Sequence, residues 1–283
     1  MSARTAFKSI ERVSRRNGIL KSDLRSVPEE VPVAFSYGGS THAVMMATPA
    51  DLEDFAYGFS LTEGIILGAS QIDGVEVLHT EQGFDVQVTL VDEQADALRS
   101  RRRHMAGPVG CGLCGIESIE QAVRPVPDVS GVTMKINAKV IVEAMAALND
   151  AQPLHRETRA VHGAGFHVPG EGLVAVREDV GRHNALDKLA GAVLRSGRKG
   201  CEGIVVVTSR VSVEMVQKAA IMGSPILAAV SAPTALAIHT AEQAGMTIVA
   251  LVRGEDLEIF THSHRVTMDG NGGDVGDEIT FTA

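Results

Sequence analysis

Bulky aromatic side chains are scarce in this sequence. Tryptophan is absent, and aromatic residues make up 4% of the 283 residues. Hydrophobic residues nevertheless make up 45% of the chain, which is too high a content for a disordered protein. We therefore expect folded domains with cores of Ala, Val, Leu, Ile and Met, in a chain long enough for one large or two modest domains.

Other scarcities argue against whole classes of protein. Three cysteines in a chain of this length do not form a disulfide scaffold. Acidic residues outnumber basic ones, 35 to 26, for a net charge of −9, whereas a nucleic-acid binder needs a basic surface. No apolar run approaches the roughly 20 residues that span a bilayer, and the charged N-terminus lacks the apolar region of a secretory signal. We expect a reduced, cytoplasmic protein that binds neither nucleic acid nor membrane.

Polarity and turn residues divide the chain into segments. We predict a loosely held polar arm (1–28), an N-terminal lobe that ends in a cysteine loop (29–129), a second lobe (130–266) and a flexible acidic, Gly-rich tail (267–283). In the first lobe, Thr48 is expected to cap a helix that follows a strand pair. Pro125 and Pro127 mark the linker between the lobes.

The second lobe alternates strands and helices. Buried strands are predicted at 203–208, 225–230 and 246–252, and helices at 184–195, 212–223 and 231–245. Short strand–helix–strand connections predict parallel pairing, and strands that are apolar on both faces predict a sheet covered by helices on both sides. The fold class is therefore α/β, an α/β/α sandwich packed against a smaller strand-rich lobe.

A Cys-x-x-Cys loop carries the first candidate chemistry. Cys111 and Cys114 stand among glycines, and a run of arginines lies just upstream. Nearby cations lower the pKa of a thiol toward neutrality, and the thiolate is the nucleophile. The flexible glycines suit a loop that carries sulfur between partners.

Other interpretations of the two cysteines stay open. A zinc site needs two further ligands, for which His162, His167 and His183 are candidates. A thioredoxin-like loop opens a helix after a strand, whereas this loop follows a predicted helix. A structural pair without chemistry is the third alternative. We expect no bound metal, and we expect Cys201, beside a buried strand, to be a packing residue.

Charged residues also cluster between Arg177 and Lys188, at the start of a predicted helix. His183 is the best candidate there for a general acid or base. The alternative is an ordinary helix start whose acidic residues complement the dipole.

Polar residues follow each predicted strand of the second lobe. In open parallel sheets, ligands bind outside the carboxyl ends of the strands. These ends are Ser209–Arg210, Ser231–Thr234 and Arg253–Gly254. Helix N-termini and arginines attract phosphate, and the sequence contains neither a Walker loop nor a GxGxxG motif. A phosphate-bearing ligand other than ordinary ATP or NAD is expected.

Several motifs in a fixed order resemble the formate dehydrogenase accessory sulfurtransferase family, FdhD. The resemblance runs from about residue 31 to residue 266. The motifs are ATPADLED (47–54), GFSLTEG (58–64), CGLCG (111–115), EDVGRHNALDK (178–188), TSRVS (208–212) and SAPT (231–234).

The resemblance implies a sulfur carrier, usually dimeric, with a cytidine-deaminase-like fold. Sulfur would pass from a cysteine desulfurase to molybdenum bis(molybdopterin guanine dinucleotide) for a formate dehydrogenase apoenzyme, with GDP as a mimic of the cofactor. The persulfide cysteine would be Cys111, with Cys114 as its partner. The cofactor-binding stretch would be Leu251, Val252, Arg253, Gly254, Glu255 and Asp256. The polar residues at the strand ends and the histidine at the charged helix start are expected to bind the same cofactor: Ser209, Arg210, Ser231, Thr234 and His183.

The sequence departs from the family pattern in places. Val109–Gly110 stands where small hydroxyl residues are common, and Leu251 replaces a frequent aromatic residue. The departures leave the thiols and arginines in place. The alternative function is a non-catalytic chaperone that binds the same cofactor.

Overall fold

The computed structural model describes residues 5–95, 98 and 126–268. Both cysteines of the Cys-x-x-Cys loop, and the predicted tail beyond Met268, lie outside the described residues. No helix in the described part of the chain is long and apolar enough to cross a membrane.

The first described element is a β-hairpin. Strands β1 (Phe7–Arg16) and β2 (Ile19–Pro28) pair antiparallel over their whole length. The turn residues Asn17 and Gly18 have positive φ angles of 51° and 82°, as a two-residue type I′ turn requires. The polar arm predicted for this segment is thus a hairpin, and its polar composition concealed two strands that satisfy each other's backbone groups.

A four-stranded sheet forms the N-terminal lobe. Its strands, in the order β4-β3-β6-β5, are β3 (Val31–Tyr37), β4 (Ser40–Ala47), β5 (Ile72–His79) and β6 (Phe84–Leu90). Helix α1 (Leu52–Thr62) packs on this sheet. The ring of Phe35 contacts those of Phe55 and Phe59, with centroids 4.8 and 4.5 Å apart. The two-residue period of β3 directs its apolar side chains to this core.

Thr48 does not cap α1 as predicted. The amide of Ala50 donates to the carbonyl of Thr48 at 2.8 Å, so the chain turns once more before the helix begins. The N-cap position is Asp51, which has a positive φ of 53° and forms no side-chain cap. The Thr48 hydroxyl instead accepts a hydrogen bond from the Val180 amide at 3.1 Å, which links the two lobes.

A six-stranded sheet forms the second lobe. Its order is β13-β12-β11-β10-β8-β9. The strands are β8 (His162–Val168), β9 (Gly172–Asp179), β10 (Ile204–Val207), β11 (Ile226–Ala229), β12 (Thr247–Arg253) and β13 (Asp256–Ile259). β10, β11 and β12 are parallel, which confirms the predicted pairing. β8, β9 and β13 add antiparallel pairs outside this centre.

Helices cover both faces of this sheet. They are α2 (Ala138–Asp150), α3 (Pro153–Thr158), α4 (Arg182–Arg195), α5 (Val213–Met222) and α6 (Ala235–Gln243). Ile204 and Val206 face α2, whereas Val205 and Val207 face α4, α5 and α6. Alternate residues of one strand thus enter opposite cores, and the predicted α/β/α sandwich is confirmed. The short strands β7 (Ile136–Asn137) and β14 (Val266–Thr267) pair parallel beside it.

The last helix begins later than predicted. The Thr234 hydroxyl accepts from the Ala237 amide at 3.2 Å, so Thr234 is the N-cap and α6 starts at Ala235. Residues 231–233 belong to the loop after β11.

Two glycines allow the lobes to pack closely. A Cβ atom at Gly58 of α1 would lie 1.7 Å from the Asp187 carbonyl oxygen in α4. A Cβ atom at Gly191 of α4 would lie 1.8 Å from the Asp54 carbonyl oxygen in α1. The two helices therefore cross with their backbones in contact, which a side chain at either position would prevent.

Candidate functional site at the carboxyl edge of the sheet

Four strands end at one edge of the large sheet. β9 and β10 are both antiparallel to β8, so they run in the same direction, and β11 and β12 are parallel to β10. We call this the carboxyl edge. It contains most of the residues expected to bind the cofactor: His183, Ser209, Arg210, Ser231, Thr234, Arg253 and Gly254. The topology brings these residues to the place where open α/β sheets bind ligands.

Backbone hydrogen bonds fix the loops after β10 and β11. The Val211 amide donates to the Ala232 carbonyl at 3.3 Å, and the Thr234 amide donates to the Val211 carbonyl at 3.0 Å. The loop after β10 is also bound to β8, because the Gly163 amide donates to the Thr208 hydroxyl at 2.9 Å. The edge is therefore held in place before any ligand binds.

Two helices begin at this edge without a side-chain cap. Gly181, the N-cap residue of α4, has no side chain to offer, and Ser212 forms no cap at the start of α5. The first amides of a helix lack intrahelical acceptors and carry a partial positive charge. The start of α4 is therefore suited to a negatively charged ligand, whereas the Glu214 carboxylate in the first turn of α5 already accepts a hydrogen bond from its own backbone amide.

Three arginines add positive charge. Arg182 is half-buried, and its buried Nε has no hydrogen-bond partner. Arg210 and Arg253 are exposed, and within the described ranges neither forms an ion pair. The acidic residues nearest to them in sequence, Glu214 and Glu255, therefore do not pair with them. A buried guanidinium nitrogen without an acceptor favours an anion.

His183 lies between the two uncapped helix starts. Its Nε2 is 3.4 Å from the Ser212 hydroxyl and 3.7 Å from a Glu214 carboxylate oxygen. Burial and the neighbouring Arg182 lower its pKa to about 4, against the attraction of Glu214. His183 is therefore neutral near pH 7, and its contact with Glu214 is not an ion pair there. A neutral imidazole can donate or accept a hydrogen bond.

A buried ion pair anchors the start of α4 to the N-terminal lobe. Lys188, fully buried, donates to Asp179 Oδ2 at 2.6 Å and to the Thr48 carbonyl at 2.9 Å. Asp179 also accepts from the amides of Thr48 and Gly181, at 3.0 and 2.8 Å, and from Asn184 Nδ2 at 3.0 Å. These residues hold the loop that presents Arg182 and His183. These contacts indicate that Asp179 and Lys188 position the start of α4 and do not bind a ligand themselves.

A second buried pair involves Asp187, the residue directly before Lys188 in α4. Lys218 of α5 donates to both Asp187 oxygens at 2.8 and 2.9 Å, and the Thr62 hydroxyl donates to Asp187 at 2.6 Å. Burial raises the pKa of Asp187, and Lys218 opposes this shift. The pair joins α1, α4 and α5 behind the carboxyl edge.

Comparison with known proteins bears on this arrangement. Residues 28–267 match the model of the FdhD/NarQ family. The chain belongs to the FdhD/NarQ family. It is 67% identical over 268 residues to the sulfur carrier protein FdhD of Agrobacterium fabrum, covering 95% of this chain and 99% of the relative. It is 54% identical over 266 residues to the sulfur carrier protein FdhD of Brucella abortus, covering 94% and 99%.

A solved structure is also similar. The crystal structure of a protein assigned as a formate dehydrogenase accessory protein from Desulfotalea psychrophila aligns with a TM-score of 0.73 at 27% identity. The alignment covers 93% of this chain and 100% of that one. The α/β fold of this FdhD/NarQ chain is therefore shared along nearly its whole length.

The stretch Leu251–Asp256 has an unusual backbone. Leu251 has a positive φ of 55°, at an irregularity in the pairing of β12 with β13. Val252 is buried in the core beneath α2, so its side chain faces away from solvent. Arg253, Gly254, Glu255 and Asp256 are exposed in the turn between the strands, and Asp256 pairs with Arg253 in the strand register. The exposed turn, rather than Val252, is available to a ligand.

The cysteines divide between described and undescribed residues. Cys111 and Cys114 lie outside the described residues, so their predicted roles stay predictions. Cys201 was expected to be a packing residue, and this is wrong, because it is exposed. It lies in the short turn Gly200–Glu202, at the opposite end of β10 from Thr208. Its thiol borders a surface cavity of about 240 Å³ away from the carboxyl edge.

The histidines considered as zinc ligands do not come together. His162 and His167 occupy opposite ends of β8, and His183 lies at the carboxyl edge, near His162. No group of three potential ligands suited to a metal ion occurs in the part of the chain that the structure describes.

Sequence reasoning missed two members of the site. Arg182 adjoins the chosen His183, but nothing in the sequence shows that its Nε is buried without a partner. His162, considered in the sequence only as a zinc ligand, begins β8, a strand that was not predicted. Burial and Arg182 lower the pKa of His162.

Proposed function

We propose that this protein is a sulfur carrier that accepts sulfur from a cysteine desulfurase and delivers it to molybdenum bis(molybdopterin guanine dinucleotide) destined for a formate dehydrogenase. The observation that carries the proposal is the 67% identity, over nearly the full length of both chains, to a protein named sulfur carrier protein FdhD. The name of the structural relative, a formate dehydrogenase accessory protein, supports the same client. The protein works in the cytoplasm, as a homodimer.

Cys111 receives the sulfur. Its thiolate attacks the terminal sulfur of the desulfurase persulfide. The S–S bond of the donor breaks, a new S–S bond forms on Cys111, and the donor cysteine leaves as a thiolate. The basic run Arg101–Arg103 upstream favours the thiolate form of Cys111.

Cys114 releases the sulfur. Delivery of a persulfide sulfur as sulfide requires two electrons. The Cys114 thiolate supplies them when it attacks the inner sulfur of Cys111, which forms a Cys111–Cys114 disulfide and expels hydrosulfide toward the acceptor. A thiol reductant then restores both cysteines for the next cycle.

The carboxyl edge holds the cofactor that accepts the sulfur. The guanine dinucleotide ends of this substrate carry phosphates, and the edge offers the uncapped start of α4. The buried Nε of Arg182 lacks an acceptor, and a phosphate oxygen would provide one. Arg210 and Arg253 supply forked donors at the rim. Neutral His183 and the Ser212 hydroxyl lie between the helix starts and can bind a phosphate or ribose oxygen.

Mass spectrometry after incubation with a cysteine desulfurase and cysteine tests the sulfur step. Wild-type protein should gain about 32 Da, one sulfur atom as a persulfide, on the peptide that contains Cys111. Cys111→Ala should abolish the gain, and Cys201→Ser should retain it. Cys201 is a stringent control because its thiol is exposed.

Other outcomes separate the alternatives. Sulfur on Cys201 would contradict the assignment of the carrier cysteine. A Cys111→Ala variant that still supports formate dehydrogenase activity would favour the non-catalytic chaperone.

A further inference from the structure

One strand residue of the second lobe has a backbone conformation that its side chain disfavours. Leu251 lies inside β12 with a positive φ of 55°. In this left-handed region the Cβ of an L-residue crowds the carbonyl that follows, so glycine and asparagine are usual there and leucine is rare. The other non-glycine residues with positive φ in the described part of the chain lie in a turn or at helix ends: Asn17, Asp51, Arg159 and His262. The conformation of Leu251 is therefore imposed by the strand pairing around it.

The pairing of β12 with β13 contains one extra residue at this point. Ala250 pairs with Glu258, and Arg253 pairs with Asp256. Two residues of β12 therefore lie opposite one residue of β13. This arrangement, with Leu251 in the left-handed region as the first of the two, is that of a G1 β-bulge, whose first residue is ordinarily glycine.

The bulge changes which side of the sheet the later residues of β12 face. Ile248 and Ala250 lie in the core under α4, α5 and α6, whereas Val249 lies in the core under α2. Regular alternation would return Val252 to the first of these cores. Val252 lies instead with Val249 under α2. Arg253, the next residue, therefore faces the side of α4, α5 and α6.

This side of the sheet carries the polar residues at the helix starts. α4, α5 and α6 begin there, and with them His183, Ser212 and Thr234. On a regular strand, Arg253 would face α2 on the other side. We propose that Leu251 is a positioning residue, whose left-handed backbone forms the bulge that turns Arg253 toward the cofactor. This role rests on the proposed function, because the direction of Arg253 matters only where the carboxyl edge binds the cofactor.

Two substitutions distinguish the backbone of Leu251 from its side chain. The side chain is half-buried and, among the described residues, belongs to neither core of the large sheet. Asparagine adopts the left-handed region readily but is polar. Isoleucine keeps the apolar volume of leucine, but its branched Cβ opposes this region. A backbone role therefore favours Leu251→Asn over Leu251→Ile, and a packing role favours the reverse.

Thermal unfolding followed by circular dichroism tests the bulge without any ligand. Leu251→Asn should unfold at a Tm higher than that of Leu251→Ile by about 4 °C or more. Leu257, on β13, is the matched control position, since it is also half-buried but has no positive φ. It packs on the core under α2, so Leu257→Ile should unfold at a higher Tm than Leu257→Asn.

Calorimetry with GDP tests the positioning of Arg253. Leu251→Ile should weaken GDP binding about as much as Arg253→Ala does, by roughly tenfold to a hundredfold, and Leu251→Asn should bind like wild type. Adding Arg253→Ala to Leu251→Ile should cost less than about threefold more, because the arginine no longer faces the ligand. Adding it to Leu251→Asn should cost the full factor.

Two results overturn the positioning role. One is a Leu251→Ile variant that unfolds at a higher Tm than Leu251→Asn. The other is additive loss of GDP affinity when Leu251→Ile and Arg253→Ala are combined. Full GDP affinity in Arg253→Ala alone, together with the expected order of Tm values, contradicts the cofactor site and not the bulge.

Discussion

Replacement of Gly58 by alanine tests how the two lobes are joined. Within a helix, Gly→Ala ordinarily stabilises by about 0.5–1 kcal/mol, since glycine loses more backbone freedom on folding. Here the new Cβ would lie 1.7 Å from the Asp187 carbonyl oxygen and 2.8 Å from the Gly191 amide nitrogen. Both contacts are with backbone, so no side chain can rotate away. α1 and α4 would have to separate.

The clash outweighs the gain in helix propensity. Overpacking of a close-packed contact costs about 1–3 kcal/mol, and more where backbones must shift. We expect Gly58→Ala to lower the free energy of unfolding by at least about 2 kcal/mol, and Tm by about 4–8 °C for a chain of this size. Urea and thermal unfolding, followed by circular dichroism, measure both quantities.

A matched control sharpens the test. Gly131 has no atom within 4 Å of an added Cβ and no positive φ, so Gly131→Ala should change the stability little. A Gly58→Ala variant as stable as wild type would refute the close packing of α1 on α4.

Two further predictions concern the carboxyl edge. Arg253→Ala should weaken GDP binding, measured by calorimetry, by roughly tenfold to a hundredfold, since one charge-assisted contact contributes on the order of 1.5–3 kcal/mol. Arg12→Ala in the hairpin is the control. Unchanged GDP affinity in Arg253→Ala would place the pocket elsewhere. The pKa of His183 is lowered from 6.5 to about 4 in the folded protein. As pH falls, the unfolded chain therefore binds a proton at this residue before the folded protein does. The stability that neutral His183 contributes is thus present above pH 6.5 and is lost as pH falls toward 4. Wild type should lose about 1–2 kcal/mol more than His183→Gln between pH 7 and pH 5 in urea unfolding, and equal losses in both proteins would show that His183 protonates freely in the fold.

The centre of the second lobe could be predicted from sequence because its strands are strong local signals. The runs that contain Ile204–Val207 and Ile226–Ala229 are apolar on both faces, as strands covered by helices must be. The strands β8 and β9 were missed because the first contains two glycines, Gly163 and Gly165, and the second has only four consecutive apolar residues before the charged run Arg177–Asp179. Their pairing depends on distant partners rather than on local propensity.

The site was predictable in its location but not in its internal contacts. The rule that ligands bind at the carboxyl ends of parallel strands placed Ser209, Arg210 and Arg253 at one edge. No sequence pattern shows that Lys188 of α4 reaches the Thr48 carbonyl, because that contact joins residues far apart in the chain. The exposure of Cys201 was also hidden, since it follows from the turn before β10 rather than from the apolar strand itself.

The buried charges of α4 explain why the start of this helix is fixed. A buried ion pair contributes little net stability, since desolvation offsets the attraction, yet removal of one partner leaves an uncompensated charge and costs about 3–5 kcal/mol. The Asp179–Lys188 pair is therefore better understood as a means of positioning than as a source of stability.

Lys188 binds the Thr48 carbonyl of the N-terminal lobe and Asp179 of the second lobe at once. A shift of α4 by one residue would break both contacts, so the pair fixes the register of the helix. Because α4 begins at Arg182, the same contacts fix where Arg182 and His183 stand at the carboxyl edge. The geometry of the proposed cofactor site thus depends on both lobes, although all its ligand-facing residues belong to the second.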